Sequence, residues 1–249
     1  MLIDEIKSIL EKYGYQINAD SKLRIESMVQ SLKDDNQLYK LDYIIEWFAK
    51  RREQSDMIVK EIGINELEKW NVNGQTGNIS HETGGFFEII GVKASNTFER
   101  EVGKKGWTQP MIGKNPGGVL GLLMKKINGV PHYLLQAKAE PGNIGKLQIS
   151  PTLQATTSNL LKAHGGTKPK FAEYFDENRK TKTIYSKWQS EDGGRFYLKS
   201  NYNMIVEIDE NEDIEIPDNF IWVTLFQIKQ LLKIENFVSP HVRGIISYL

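Results

Sequence analysis

The sequence predicts an α+β protein in which a helical N-terminal arm precedes a mixed, largely antiparallel sheet flanked by helices. Three observations predict this class. Apolar residues recur at helical spacing through the first 60 residues. After Trp70, short apolar runs bounded by turn residues replace that pattern. Asn128-Gly129 separates two of these runs, and this dipeptide is a strong signal for a hairpin turn.

The arm is expected to cover residues 1–60 and the sheet-containing module residues 61–249. Three helices are predicted in the arm, and the first carries its apolar residues at Leu2, Ile6, Ile9, Leu10 and Tyr13. Lys50-Arg51-Arg52, at the end of the third helix, suits the negative end of a helix dipole. We prefer this structural interpretation of the three cations to a phosphate site.

Strands are expected within six runs of the module, namely GGFFEIIGVKA, GGVLGLLMKKI, VPHYLLQAK, TIYSKWQ, GRFYLKS and YNMIVEI. Residues 160–180 are expected to be helical or irregular. The acidic segment DENEDIEIPDN is predicted to be a solvated loop, and IWVTLFQIKQLLKIEN a closing amphipathic helix.

The composition excludes several classes of function. Lysine plus arginine and aspartate plus glutamate each number 32, so no overall basic field attracts nucleic acid. The chain has no cysteine, which excludes a disulfide framework, a thiolate zinc site and a cysteine nucleophile. No apolar run is long enough to span a membrane, and the N-terminus is not a signal peptide. We therefore expect a cytoplasmic protein with no nucleic-acid or membrane partner.

The common catalytic motifs are also missing from the sequence. It contains no GxGxxG after an early strand, no GxxxxGK[ST], no HExxH and no GxSxG. The four histidines, at positions 81, 132, 164 and 241, are scattered, so no metal site is predicted. Catalysis is expected to use side-chain acids, bases and hydrogen bonds, with no cofactor.

The segment His132–Asn159 carries two alternating polar patterns on either side of the turn Pro141-Gly142-Asn143. In an extended strand, Gln136, Lys138 and Glu140 share one face. If the second stretch stays extended, a second set shares a side, namely Gln148, Ser150, Thr152, Gln154, Thr156 and Ser158. Such patterns also occur on solvated hairpins. Because the flanking residues are strongly apolar, we prefer a pocket for a hydroxyl-rich ligand.

Several blocks of the sequence resemble the NDP-hexose 2,3-dehydratase family. The succession runs through HETGGFF, WTQP, GLL, LLQAKAEPGN and LQISPTLQATTSN, and continues through Tyr174-Phe175, Arg195-Phe196, NYNMIVE and WVTL. The similarity covers roughly residues 40–249 in order. Its central blocks are highly specific.

The resemblance implies an enzyme of deoxysugar biosynthesis. Members of this family act on a nucleotide-linked 4-keto-6-deoxyhexose, usually the thymidine diphosphate form. They remove water across C2 and C3, and the resulting enol tautomerises to a 3,4-diketo sugar that a 3-ketoreductase then takes. The family fold is similar to a Nudix module without its hydrolase box. The run Arg100–Lys105 faintly echoes that box, but lysines stand in place of its paired glutamates.

The chain departs from the family pattern in ways that bear on assembly and substrate. Typical members carry two copies of the module, whereas one copy is present here, so the resemblance implies a homodimer. Glu191-Asp192-Gly193-Gly194 stands where a Ser-Glu-Gln type sequence is usual, and Tyr202 replaces a commonly basic residue between Asn201 and Asn203. The segment Val238–Arg243 keeps an arginine in a diverged setting.

The implied reaction needs a base at C3, a donor for the enolate oxygen at C4 and an acid for the departing hydroxyl. Glu140 is predicted as base or acid and Lys138 as the enolate stabiliser, and the alternative is a surface ion pair without a role. Tyr202 and His81 are secondary candidates for proton transfer. His81 could instead cap a strand.

Substrate-binding residues are also predicted within the matching blocks. Trp107 is expected to stack on the base or sugar beside Gln109, although a strand tryptophan often only packs. Arg195 and Arg243 are the predicted diphosphate ligands, because a guanidinium fits phosphate oxygens, but either could form a structural ion pair. The remaining predicted contacts are Gln136, Asn143, Gln148, Ser150, Thr152, Gln154, Ser158, Asn159, Asn201 and Asn203.

Two other functions remain open at this stage. One is a non-catalytic module that binds a sugar nucleotide without turnover. The other is a 4-keto sugar isomerase or epimerase on the same scaffold, because enolisation is the first step of both reactions.

Overall fold

In a computed structural model, the described residues are 2–34, 37–98, 101, 103–114, 117–156, 160, 168–176, 178–179 and 181–249. The longer helices are α1 (Leu2–Lys12), α2 (Ala19–Leu32), α3 (Leu41–Glu53), α4 (Leu225–Leu231) and α5 (Pro240–Ile246). The predicted helical character of the arm is confirmed. The boundary between residues 60 and 61 stays a prediction.

The first four strands form a separate antiparallel sheet. They are β1 (Trp70–Val72), β2 (Ile79–His81), β3 (Glu88–Ala94) and β4 (Trp107–Gly113), and they lie in the order of the sequence. The pairing of β3 with β4 aligns Val92 with Gln109 and Ala94 with Trp107.

The second sheet has seven strands: β5 (Gly118–Ile127), β6 (Val130–Ala139), β7 (Leu147–Pro151), β8 (Leu153–Thr156), β9 (Lys182–Ser190), β10 (Ser200–Glu207) and β11 (Phe220–Thr224). The order β11-β6-β5-β10-β9 forms its main path, with β7 paired to β6 and β8 to β5. Since β10 runs parallel to β5 and other neighbours are antiparallel, the sheet is mixed. The predicted α+β class is confirmed.

The predicted hairpin connects β5 and β6. Asn128 and Gly129 both have positive φ, at 52° and 78°. This is the conformation that a two-residue type I′ turn requires, and it matches the twist of the paired strands. The hairpin prediction is therefore confirmed.

Two predictions about individual elements, one strand and the start of one helix, are wrong. The run GRFYLKS is a loop in which Phe196 makes one isolated bridge to Ile112. The beginning of the predicted closing helix is instead strand β11, and α4 starts at Leu225. Thr224 caps α4 by accepting a hydrogen bond from the Gln227 backbone, so the chain changes from strand to helix at this residue.

The seven-stranded sheet buries side chains on both faces. On the first face, even positions of β5 and odd positions of β6 pack with α3, α4 and α5, as Leu122, Tyr133 and Val242 illustrate. On the second face, Leu123, Leu134 and Met204 pack around the segment Phe171–Phe175. Each residue of β10 can therefore be assigned to a face, with Asn201 and Asn203 on the first and Tyr202 on the second.

Strands β5 and β6 separate at the position of Thr152. Its hydroxyl accepts a hydrogen bond from the Leu123 backbone at 2.9 Å and donates one to the Leu134 carbonyl. Leu123 and Leu134 are partners in the β5–β6 register, so the Thr152 hydroxyl stands between the two strands where the pairing ends. Beyond it, β7 and β8 fill the gap. We refer to this arrangement as the fork.

The fork reverses the alternation of side chains. Leu147 and Ile149 of β7 lie on the first face, whereas Leu153 and Ala155 of β8 lie on the second. The expectation that the polar residues of this stretch share one side is therefore wrong for those that the structure describes. Gln148 and Ser150 are on the second face, opposite Lys138 and Gln136, while Gln154 pairs with Leu120 and is on the first.

His132 is fully buried in β6, and burial lowers its pKa. The hydrogen bond between its Nδ1 and the Val130 carbonyl opposes this shift. Its Nε2 is buried and bonds no group in the described part of the chain. Because the unfolded pKa is about 6.5, the unfolded state binds a proton first as the pH falls. The contribution of His132 to stability is thus complete above that pH and decreases below it.

We expect His132→Gln to reduce the dependence of the unfolding free energy on pH between about 6.5 and 5. Urea denaturation of both proteins at several pH values measures this slope. Equal slopes for the wild type and the variant would show that His132 titrates alike in both states.

None of the helices in the described part of the chain combines the length and apolar character that a membrane crossing requires.

Candidate functional site

A polar pocket of about 230 Å³ lies on the first face of the seven-stranded sheet, beneath α5. Asn201 and Asn203 of β10 form its floor, because alternate residues of a strand point to the same side. His241, Gly244 and Ser247 line it from α5 and its end, and Glu191 lines it from the loop after β9. Both asparagines are buried, so their amides need hydrogen-bonding partners.

The two asparagines hold each other and Glu191 in place. The Asn203 side-chain amide donates to the Asn201 carbonyl at 3.0 Å, and that of Asn201 donates to the Glu191 carboxylate. The Glu191 carboxylate is therefore fixed at the edge of the pocket. Both asparagines were predicted from the sequence as site residues, whereas Glu191 was noted there only as part of a divergent motif.

His241 is the residue that sequence analysis missed. Burial lowers its pKa; the carboxylates of Glu191 and Glu140 oppose this shift, whereas the ammonium groups of Lys138 and Lys199 add to it. The imidazole is consequently neutral at neutral pH and able to accept a proton. An isolated histidine in the sequence gave no signal of this role, because its charged neighbours come from distant segments.

Lys138 and Glu140 belong to the charged surroundings of His241. The Lys138 Nζ lies 3.2 Å from a Glu140 carboxylate oxygen, and the two side chains are 24% and 34% exposed. The Gln154 amide donates to the same Glu140 oxygen at 2.9 Å. The Gln154 side-chain oxygen is buried and accepts no hydrogen bond from the described residues.

A second, more apolar cavity of about 450 Å³ adjoins the polar pocket, and Ser190 and Glu191 line both. We call it the tryptophan slot, because Trp107 forms part of its wall with Val92, Ala94, Met111 and Tyr197. Its volume lies within the usual range for small-molecule sites.

Gln109 orients the indole of Trp107. It accepts a hydrogen bond from the indole nitrogen at 2.6 Å and donates one to the Gly194 carbonyl at 2.7 Å. Both functional ends of its amide are therefore occupied within the protein. The predicted pair of Trp107 and Gln109 does lie at a cavity, with Gln109 supporting the ring.

The structure places neither predicted arginine at the slot or the pocket. The Arg195 side chain is 77% exposed and lies 3.3 Å from Asp192 in the same loop. Arg243 is on the exposed side of α5. The ion-pair alternative therefore describes Arg195 better than the predicted diphosphate contact.

Tyr202 and His81 lie outside the polar pocket. Tyr202 points to the second face of the sheet, where its ring is 5.4 Å from that of Trp188. His81 belongs to an aromatic cluster with Trp70 and Phe86, and its Nδ1 lies 2.9 Å from the Thr83 hydroxyl. Neither residue lines the two cavities.

The remaining predicted residues mainly support the backbone. Asn143 closes the turn by donating to the Lys138 carbonyl at 3.4 Å, and Gln148 donates to the Asn236 carbonyl at 3.1 Å. Ser150 is buried opposite Gln136, and Thr152 stands at the fork. Ser158 and Asn159 lie outside the described residues, as do most positions of the segment 160–180.

The site has no metal-binding arrangement within the described ranges. No three histidine, aspartate or glutamate side chains lie close enough together there to hold an ion.

An apolar slot joined to a polar pocket is the form of a site for a ligand with one flat apolar part and one hydroxyl-rich part. The model of the NDP-hexose 2,3-dehydratase family matches residues 41–249. The chain belongs to this family.

Curated relatives carry the same description. A dTDP-4-dehydro-6-deoxy-α-D-glucopyranose 2,3-dehydratase of Amycolatopsis orientalis is 41% identical over 209 residues, covering 82% of this chain and 43% of that protein. Relatives of the same name from Saccharopolyspora spinosa and Streptomyces violaceoruber are 38% and 36% identical, covering 81% and 82% of this chain and 40% and 45% of theirs. The chain thus spans less than half the length of these relatives.

Among solved structures, similar ones include two hydrolases. A Nudix hydrolase from M. smegmatis, RenU, has a TM-score of 0.34 and 16% identity, covering 60% of this chain and 94% of that one. An ADP compounds hydrolase has a TM-score of 0.37 and 12% identity, covering 78% of this chain and 94% of that one.

Proposed function

We propose that this chain is a lyase that removes water across C2 and C3 of a nucleotide-linked 4-keto-6-deoxyhexose, with thymidine diphosphate as the carrier. The observation that carries the proposal is a polar pocket, beside an apolar slot, that is lined by a neutral imidazole and two amides, with a Lys–Glu pair near enough to act on the imidazole through its charges. Family membership and the names of the curated relatives support the same substrate class.

The first step is removal of the C3 proton, which the C4 ketone makes acidic. We assign this step to His241, because its imidazole is neutral and can accept a proton. The nearby carboxylates favour the protonated imidazolium, and the nearby ammonium groups favour the neutral imidazole, so the ring can gain and release a proton. The electron pair of the C3–H bond moves to the C4 oxygen, giving an enolate. Lys138 is the donor that stabilises this oxygen.

The second step expels the C2 hydroxyl. Electrons return from the enolate oxygen, a C2–C3 double bond forms and the C2–O bond breaks. The imidazolium of His241 supplies the proton, so that water leaves and the base is regenerated. Glu140 holds the Lys138 ammonium, and the Gln154 amide fixes the Glu140 carboxylate by donating a hydrogen bond to it.

Isotope exchange tests this function. In deuterated water, thymidine diphosphate 4-keto-6-deoxyglucose should incorporate deuterium and lose the C2 oxygen, as mass spectrometry of the products measures. Exchange at C3 without loss of oxygen would indicate an isomerase or epimerase instead. Binding without either change would indicate a non-catalytic module. Glu140→Gln should lower both exchange and loss of oxygen because it removes the ion pair with Lys138, and full retained turnover would exclude Glu140 from the mechanism.

Three associated expectations remain predictions: a homodimer, a downstream 3-ketoreductase and a cytoplasmic location. Light scattering on the purified chain determines its oligomeric state. A chain mass of 28.5 kDa at micromolar concentrations would exclude a stable homodimer.

A further inference from the structure

Lys199 lies where the tryptophan slot approaches the polar pocket. It lines the slot together with Trp107, and its charge acts on the imidazole of His241. The Lys199 carbonyl accepts a hydrogen bond from the Glu191 backbone at 3.0 Å, so the lysine stands beside the residue that lines both cavities. A ligand that occupies both cavities must therefore pass close to this cation.

The Lys199 ammonium is half-buried, and no neighbouring carboxylate fully balances its positive charge. It lies 4.7 Å from the centroid of the Phe196 ring, and no salt bridge among the described residues includes it. Burial lowers its pKa, and Glu191 opposes that shift. An ammonium group has three N–H donors, and since no carboxylate of the described residues forms a salt bridge with Lys199, the lysine keeps capacity to bind an anion.

The order of groups in a sugar nucleotide matches the order of these features. A planar base suits the slot with its indole wall. Hydroxyls suit the amides and the imidazole of the pocket. The diphosphate connects the two parts, so it must lie at the junction of the cavities, where an ammonium is available as a phosphate ligand.

We infer that Lys199 binds the diphosphate of the ligand while the nucleotide base occupies the tryptophan slot. The inference rests on the proposed function and deepens it. It also replaces Arg195 and Arg243 as the expected phosphate contacts, since Arg195 is bound to Asp192 in its own loop and Arg243 faces away on α5.

Calorimetric titration with thymidine diphosphate and with thymidine tests the inference. Lys199→Met keeps an unbranched apolar stem but removes the charge. We expect it to weaken binding of thymidine diphosphate about tenfold or more, which corresponds to the loss of one charged hydrogen bond. The affinity of Lys199→Met for thymidine should differ from that of the wild type by less than about twofold, because the slot itself is unaltered.

Arg195→Met and Arg243→Met are the matched controls, each removing one cation outside the cavities. Both should leave the affinity for thymidine diphosphate within about twofold of the wild type. Equal affinities of Lys199→Met and the wild type, or a large loss in either arginine variant, would overturn the inference. Lys199→Gln serves as a second variant if Lys199→Met does not fold.

The same titrations separate this inference from the proposed function. A wild-type chain that binds neither probe would contradict the proposed sugar-nucleotide site as a whole. A wild-type chain that binds thymidine diphosphate, with unchanged binding in Lys199→Met, would contradict only the role of Lys199.

Discussion

His241→Asn is expected to lower the turnover of a nucleotide-linked 4-keto-6-deoxyhexose by about 10²–10⁴-fold, the range over which a positioned base contributes. The asparagine keeps a polar side chain but cannot accept the C3 proton. Because the proposed base acts before any bond to oxygen breaks, deuterium exchange at C3 should fall with turnover. The affinity for the substrate should change much less.

The pH profile of the wild type provides a second measurement of the same group. Burial lowers the pKa of His241, so the imidazole stays deprotonated at neutrality and becomes protonated only as the pH falls below its usual value of about 6.5. Turnover should therefore decline on the acid side of that value. His241→Asn should lose this acid limb.

His81→Asn is the comparison for His241→Asn. His81 lies in the aromatic cluster with Trp70 and Phe86 and lines neither cavity, so its replacement should spare turnover. The opposite result, with a large loss for His81→Asn and none for His241→Asn, would contradict the assignment of the base.

Thr152→Val is expected to destabilise the protein by about 3 kcal/mol. Valine matches the shape of threonine but leaves the Leu123 amide and the Leu134 carbonyl without the hydroxyl that joins them at the fork. Each buried polar group that loses its partner costs about 1–3 kcal/mol. For a chain of this size, the melting temperature should fall by about 10 °C.

Thr152→Ser and Thr183→Val separate the hydroxyl from other effects. Thr152→Ser keeps the hydrogen bonds and should recover most of the lost stability. Thr183 is an exposed threonine of β9, so its replacement should change the unfolding free energy by less than about 0.5 kcal/mol. Calorimetry of the four proteins measures these differences, and an unchanged melting temperature for Thr152→Val would mean that the fork does not depend on the hydroxyl.

Local patterns were sufficient for much of the fold. The spacing of Leu2, Ile6 and Ile9 predicted α1, and Asn128-Gly129 predicted the β5–β6 hairpin, because both depend on neighbours within a few residues. The strand at IWVT was missed because its apolar residues continue into those of α4. Only the Thr224 cap, with its bond to Gln227, marks the change.

The prediction of the site was less complete for a physical reason. The alternation in β6 suggested a row of polar side chains on one face of the strand, and Glu140, Lys138 and Gln154 do interact. Simple alternation could not anticipate that Thr152 would reverse the faces of β7 and β8, since that reversal depends on where β5 and β6 separate. Thr152 itself was predicted to contact substrate, yet its hydroxyl is used by the backbone.

From the residues alone, the α+β class, the family and two members of the polar pocket, Asn201 and Asn203, could be inferred, because short-range periodicity and specific blocks carry that information. Tertiary packing decided which polar groups share a cavity. His241 enters the pocket only because α5 buries Val242, Ile245 and Ile246 against the sheet and so presents its N-terminal residues to Asn201 and Asn203. The face that a side chain occupies depends on contacts between segments far apart in the chain, which no local pattern contains.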